Sequence, residues 1–84
     1  MLNIEKKTRL DSRTVVDRAV AHFGPDGLDL EVVEKGDCCA RFRGGGGFVL
    51  VQTEDLKRGT KRTKVVIQGR EHEFQIREFL KTLR

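Results

Sequence analysis

The chain has 84 residues and a mass of 9.6 kDa; 37% of its residues are hydrophobic and 36% are charged, and its formal net charge is +4. This composition excludes collagen-like and low-complexity chains, and no apolar run approaches the roughly 20 residues that a membrane-spanning helix needs. We therefore expect residues 1–84 to form a single compact domain with a thin core and without membrane insertion.

The first residues and the cysteines favour a cytoplasmic location. Residues 1–7 are already charged and no apolar segment follows them, so we expect no signal peptide. Cys38 and Cys39 are adjacent, and the roughly 3.8 Å between neighbouring Cα atoms is shorter than normal disulfide geometry allows. The sequence therefore predicts two reduced thiols that act as small hydrophobic residues in a reducing compartment.

A strand and a capped helix are predicted first. Leu2 and Ile4 alternate with charged residues, which indicates a strand with one face buried at its start. Asp11 or Ser12 can then cap a helix that ends at the Gly-Pro-Asp-Gly turn of residues 24–27. The apolar residues of this helix recur at the spacing of one buried face: Val15, Val16, Ala19, Val20 and Phe23.

Two strands with a definable register follow the helix. A three-residue loop at 35–37 pairs Val32 with Ala40 and Leu30 with Phe42, so that the apolar rows meet. The same register predicts two cross-strand charge pairs on the opposite face, Glu31–Arg41 and Asp29–Arg43.

The four glycines at 44–47 are interpreted as a hairpin turn. A two-residue turn at Gly45-Gly46 needs positive φ twice, which glycine adopts without strain. Residues 48–51 then read as a strand and not as the helix start that a phosphate-binding loop requires. The turn predicts an inner row of Phe42–Val49 and Ala40–Val51 and an outer row of Arg43–Phe48, Arg41–Leu50 and Cys39–Gln52.

The last predicted elements are a strand at 63–69 and an amphipathic helix at 71–83. The apolar stripe of this helix consists of Ile76, Phe79, Leu80 and Leu83. The whole chain therefore predicts an α+β fold of order β-α-β-β-β-β-α, in which a curved antiparallel sheet has both helices packed on one face.

The stretch from Ile4 to Ser12, followed by Val15, Val16 and Asp17, resembles the entry of START-like or polyketide-cyclase-like proteins. In that family a first strand also leads into a capped helix, and a terminal helix lies across the sheet. The resemblance covers the whole chain at the level of topology, in a shortened form. It implies a helix-grip, TBP-like architecture and a lipid or small apolar ligand between the C-terminal helix and the sheet.

Residues suited to catalysis or metal binding are scarce. Ser12 is the one serine, and we assign it to the start of the first helix. His22 and His72 lie on different predicted helices without further ligands, so both are expected to be structural or solvated. No catalytic, cofactor-binding or metal-ligating residue is predicted, and we expect no enzymatic activity.

Two surfaces remain as candidate binding sites. The outer sheet face carries more apolar surface than a solvated face requires, which favours association with a second copy of the chain or another protein. The basic connection at 57–64 favours, as an alternative, contact with nucleic-acid phosphates. The apolar residues of the face are Val33, Phe48, Leu50 and Val66. The basic residues of the connection are Lys57, Arg58, Lys61, Arg62 and Lys64.

Overall fold

Two helices and five strands follow one another in the order β-α-β-β-β-β-α in this computed structural model, which describes residues 1–56 and 62–83. In chain order the elements are β1 (Leu2–Thr8), α1 (Ser12–Phe23), β2 (Glu31–Lys35), β3 (Cys39–Gly44), β4 (Gly47–Asp55), β5 (Thr63–Arg70) and α2 (Glu73–Lys81). The strands form one antiparallel sheet in the order β1-β5-β4-β3-β2. The predicted α+β fold is confirmed.

Both helices pack on one face of the sheet, which we call the inner face. Phe23 of α1 lies at the centre of the contact, because its ring centroid is 5.5 Å from that of Phe42 in β3 and 5.2 Å from that of Phe79 in α2. The other buried apolar residues around these rings are Val15, Val16, Ala19, Leu30, Ala40, Val49, Val51, Val65, Ile67, Ile76, Leu80 and Leu83. Burial of this apolar surface is the main source of the domain's stability.

The start of α1 is set by an aspartate cap. The backbone N–H of Thr14 donates to Oδ1 of Asp11 at 2.8 Å, which satisfies one of the free N–H groups of the first turn. Of the two predicted caps, Asp11 is therefore the cap, whereas the Ser12 hydroxyl donates to Oδ1 of Asp55 at 2.9 Å. This second bond ties the start of α1 to the end of β4.

The hairpin between β3 and β4 has the predicted turn. The φ angles of Gly45 and Gly46 are +59° and +81°, both in the left-handed region that glycine favours. The predicted register is confirmed in both rows, with the inner pairs Phe42–Val49 and Ala40–Val51 and the outer pairs Arg43–Phe48, Arg41–Leu50 and Cys39–Gln52.

The predicted register between β2 and β3 is wrong. Val32 pairs with Phe42 and not with Ala40, and the register shifts between Val32 and Glu34, where β2 contains a bulge at Val33. The charge pairs change with it, because Arg43 now lies opposite Glu31 and Arg41 opposite Glu34.

The residues before β2 explain this error. The N–H of Asp29 donates to the carbonyl of Gly24 at 2.8 Å, and that of Leu30 to the carbonyl of Phe23 at 3.0 Å. Both residues therefore complete the end of α1, and Asp29 has a φ of +64° that no strand adopts. The second strand can begin only at Glu31.

The prediction of two reduced cysteines is wrong in this structure, where Cys38 and Cys39 are joined by a disulfide. The prediction rested on the short distance between neighbouring Cα atoms, which is 3.8 Å here as well. The bond forms with Cys38 in the loop before β3 and Cys39 at the start of the strand. The carbonyl of Cys38 accepts hydrogen bonds from the N–H of Thr53 at 2.9 Å and from its hydroxyl at 2.7 Å, which ties the loop to β4.

The last helix is shorter than the predicted 71–83. Glu71 has a φ of +74°, so the chain turns there and α2 begins after His72. The Nε2–H of His72 donates to the carbonyl of Gly44 at 2.8 Å, which attaches the start of α2 to the β3–β4 hairpin. The predicted apolar stripe is nevertheless confirmed, since even Leu83, beyond the end of α2, is only 2% exposed.

Gly69 allows α2 to lie close against the sheet. It faces inward from β5, and a Cβ at this position would collide with Cδ1 of the fully buried Ile76 and lie 3.2 Å from the Phe48 carbonyl. We expect Gly69→Ala to lower the free energy of unfolding by about 1–3 kcal/mol, measured by urea denaturation.

Gly36→Ala is the matched control for this substitution. The nearest atom to a Cβ at Gly36 would be the Cys39 carbonyl oxygen at 3.9 Å, and we expect a change within about 0.5 kcal/mol. Equal losses of stability in the two variants would contradict the packing role of Gly69.

The cap of α1 predicts a dependence of stability on pH. Hydrogen bonds from the side chain and the backbone N–H of Thr14 hold the pKa of the Asp11 carboxyl below its ordinary value. The ionised cap therefore stabilises the fold at neutral pH, and this contribution is lost as the pH falls below about 4. Asp11→Asn keeps an acceptor oxygen but not the charge. The urea midpoint of this variant should therefore fall less steeply between neutral and acidic pH than that of the parent chain. Parallel curves for the two proteins would contradict this assignment.

Candidate interaction surface

The outer face of the sheet takes its apolar centre from β4. Because side chains alternate along a strand, Val49 and Val51 point into the core while Phe48 and Leu50 point outward. Phe48 lies between Arg43 of β3 and Arg70 of β5, and Leu50 between Arg41 and Gln68. Apolar side chains in the middle of the face are thus bordered by long polar ones.

Val33 of β2 adds a third apolar side chain to this centre. It lies at the bulge, next to Val32, which pairs with the inward-facing Phe42, and it is 43% exposed. Val33, Phe48 and Leu50 line a groove of about 320 Å³ together with Arg41, Phe42 and Arg43. We call this feature the outer groove. The sequence predicted all three apolar residues on the outer face but gave no sign of the bulge at Val33.

Val66 lies beside the outer groove and not in it. It is half-buried on β5, opposite Gln52 of β4 and Glu5 of β1. The structure brings together three of the four apolar residues that were predicted to form one face. Val66 is the diagonal neighbour of Leu50 across the β4–β5 pair and lies outside the groove lining.

Two exposed ion pairs border the outer groove on the β2 side. Arg43 Nη2 lies 3.0 Å from Glu31 Oε1, and Arg41 Nη2 lies 3.4 Å from Glu34 Oε1. All four side chains are more than half exposed, so each pair contributes little to the stability of the fold. The rim of the groove therefore presents both signs of charge to an incoming molecule.

Both edges of the sheet are poorly suited to pairing with another strand. The bulge at Val33 disrupts the hydrogen-bonding edge of β2. On β1, Lys6 points toward the inner face and its Nζ donates to the carbonyl of Leu80 at 2.7 Å. Bulges and inward-pointing charges are the usual protection of edge strands against pairing with another chain.

The predicted basic segment is only partly visible, since Lys57, Arg58 and Lys61 lie outside the described residues. Lys64 forms an ion pair with Glu54 at 3.3 Å. Arg62 is exposed and lines a cleft of about 150 Å³ together with Lys7, Thr8 and Arg9 of the first strand and its exit. We call this feature the basic cleft.

Sequence reasoning missed Lys7 and Arg9 as neighbours of Arg62. The contact depends on the pairing of β1 with β5, which brings Thr8 opposite Thr63. These strands are far apart in the chain, and no turn joins them to indicate their register.

The two histidines occupy separate structural positions. His22 is half-buried with its ring centroid 4.8 Å from that of Phe23 and 5.4 Å from that of Phe79, and His72 is bonded to Gly44 as described above. Among residues 1–56 and 62–83, no group of three or more His, Cys, Asp or Glu side chains is placed to hold a metal ion.

The space expected for a lipid or small apolar ligand is occupied by packed side chains. Phe79 and Leu83 are almost fully buried. An open groove of about 390 Å³ does touch Phe79, but it is lined by Arg18, Ala21, His22 and Thr82 and lies between the two helices. This packing favours a core role for both residues over the walls of a binding site.

No family model, curated protein or solved structure matches this chain, so the likeness to START-like proteins stays a prediction from topology. In the part of the chain that the structure describes, neither helix has the length and apolar character needed to cross a bilayer.

Proposed function

We propose that the chain is a non-enzymatic interaction domain that associates with a second copy of itself through the outer groove. The observation that carries this proposal is the groove of about 320 Å³ whose apolar lining comes from Val33, Phe48 and Leu50. Helices cover the other face of the same strands, whereas on this face Val33 is exposed and Phe48 and Leu50 are only partly buried. Contiguous apolar surface of this kind marks association surfaces in small soluble domains.

The charges around the outer groove suit a second copy of the same chain. An interface typically has an apolar centre and a polar rim, and here the rim holds arginines on β3 and glutamates on β2. In a two-fold dimer the same patch meets itself, so a rim with both signs can pair with its own copy. A partner of a single charge sign would leave half of this rim unmatched.

The protected sheet edges direct the association to the face. Lys6 and the bulge at Val33 oppose the addition of a strand at either edge. Two copies of a sheet can associate face to face or edge to edge. We therefore propose the face-to-face arrangement.

Leu50→Glu should weaken the dimer. The substitution places a carboxylate in the apolar centre, where it would be buried without a dedicated partner. We expect the dissociation constant to rise about 10-fold or more. Sedimentation velocity over a concentration series measures this change, and an apolar interface should persist when salt rises from about 50 to 500 mM. Val33→Glu is a second variant with the same expectation, because Val33 is exposed and its replacement spares the core.

Phe74→Glu is the matched control. Phe74 is the most exposed aromatic residue among those described, at 69%, and lies on α2, away from the outer face. This variant should associate like the parent chain. A parent chain that stays monomeric at high concentration, or a control that weakens association equally, would overturn the proposal.

A further inference from the structure

The basic cleft is one corner of a larger group of cations on the outer face. Lys7 of β1 lies directly opposite Lys64 of β5, and the next pair is Thr8–Thr63. One step further, Arg9 and Arg62 leave the ends of the same two strands and line the cleft with Lys7. Like charges directly opposite each other destabilise a sheet. The Lys7–Lys64 pair therefore lowers the stability of this corner of the sheet.

The cations of the basic cleft also lack internal partners. In the described part of the chain, the side chains of Lys7, Arg9 and Arg62 form no ion pair or hydrogen bond. Elsewhere in the structure most cations are paired, as in Arg13–Asp37, Lys35–Asp17, Arg41–Glu34, Arg43–Glu31, Lys64–Glu54 and Lys81–Glu78.

Three of the nearby carboxylates are committed to other groups. Asp11 accepts from the N–H of Thr14, Asp55 accepts from the Ser12 hydroxyl, and Glu54 is paired with Lys64. Glu5 lies one row along the same face of β1, opposite Val66 of β5. A single carboxylate cannot neutralise Lys7, Arg9 and Arg62, so the basic cleft keeps a net positive charge that an anion from outside the described residues can neutralise.

We propose that the basic cleft binds the phosphate groups of a nucleic-acid backbone without selecting the base sequence. Its lining holds three cations and Thr8, with no aromatic side chain on which a base could stack. Cations along two neighbouring strand ends suit successive phosphates better than one isolated ion. The lining also lacks the apolar side chains that anchor a protein at a lipid surface. The cleft lies at the opposite corner of the sheet from the outer groove, so this activity is independent of self-association.

The test is the binding of a fluorescein-labelled oligothymidylate to the full chain, followed by fluorescence anisotropy over a salt series. The parent chain should bind at about 50 mM salt and lose affinity steeply as salt rises. The triple variant Lys7→Gln, Arg9→Gln and Arg62→Gln should bind about 100-fold more weakly at that salt, and its slope against log salt should fall by about 2.

The matched control carries the same loss of charge elsewhere. Arg70, Arg77 and Lys81 are exposed and lie outside the basic cleft, and changing all three to Gln should alter affinity by less than about 3-fold. Circular dichroism spectra should match that of the parent chain for both triple variants, as a check that they fold.

Four results would overturn the proposal. The first is that the parent chain does not bind the oligonucleotide at low salt, and the second is that the control triple variant loses as much affinity as the cleft variant. The third is that inorganic phosphate displaces the oligonucleotide at an equal concentration of phosphate groups. The fourth is that the chain binds phosphatidylserine vesicles and not the oligonucleotide. The third would assign the cleft to a free anion and the fourth to a lipid headgroup.

Discussion

The alternation of side chains along β4 is the constraint on which the rest of the structure depends. Val49 and Val51 point into a core that both helices cover, and Phe48 and Leu50 point away from it. A central strand with apolar residues on both faces is suited to a sheet covered on both sides. In the described part of this chain the helices cover one side only. This imbalance is the basis of the proposed self-association, in which a second copy covers the other side.

The distribution of charge then separates two surfaces on the outer face. On the β2 side of the outer groove each arginine of β3 has a glutamate of β2 within 3.4 Å, so this side of the rim holds paired charges. At the far corner, Lys7, Arg9 and Arg62 have no such partners in the described residues. Paired charges around apolar side chains suit a protein surface, and an unpaired set of cations suits a polyanion. One small sheet therefore presents two different kinds of surface.

Local signals in the sequence made part of the outer sheet face predictable. The turn at Gly45 and Gly46 fixes the register of β3 and β4, and that register already places Phe48 opposite Arg43 and Leu50 opposite Arg41. The register of β2 was not predictable in the same way, because Asp29 and Leu30 alternate like strand residues but complete the end of α1. The bulge at Val33 has no distinct signature in the residues around it.

The pairing of strands that are far apart in the chain was the other feature that the sequence did not predict. The basic cleft exists because β1 lies beside β5, and no turn chemistry connects these strands to indicate their register. Sequence patterns identified Arg62 and Lys64 as members of a basic segment but gave no sign that Lys7 and Arg9 lie beside them. The disulfide of Cys38 and Cys39 was missed because neighbouring Cα atoms are closer than the usual disulfide spacing, which made a bond between adjacent residues unexpected.

The most direct test of the central claim is a concentration series of ¹⁵N–¹H correlation spectra of the unmodified chain, from roughly 20 μM to 1 mM. Association through the outer groove predicts that the amide signals of residues 33, 41–43 and 48–50 shift with concentration, while those of the β1 edge and of α2 stay in place. Spectra that do not change over this range, or shifts confined to β1, would contradict the account.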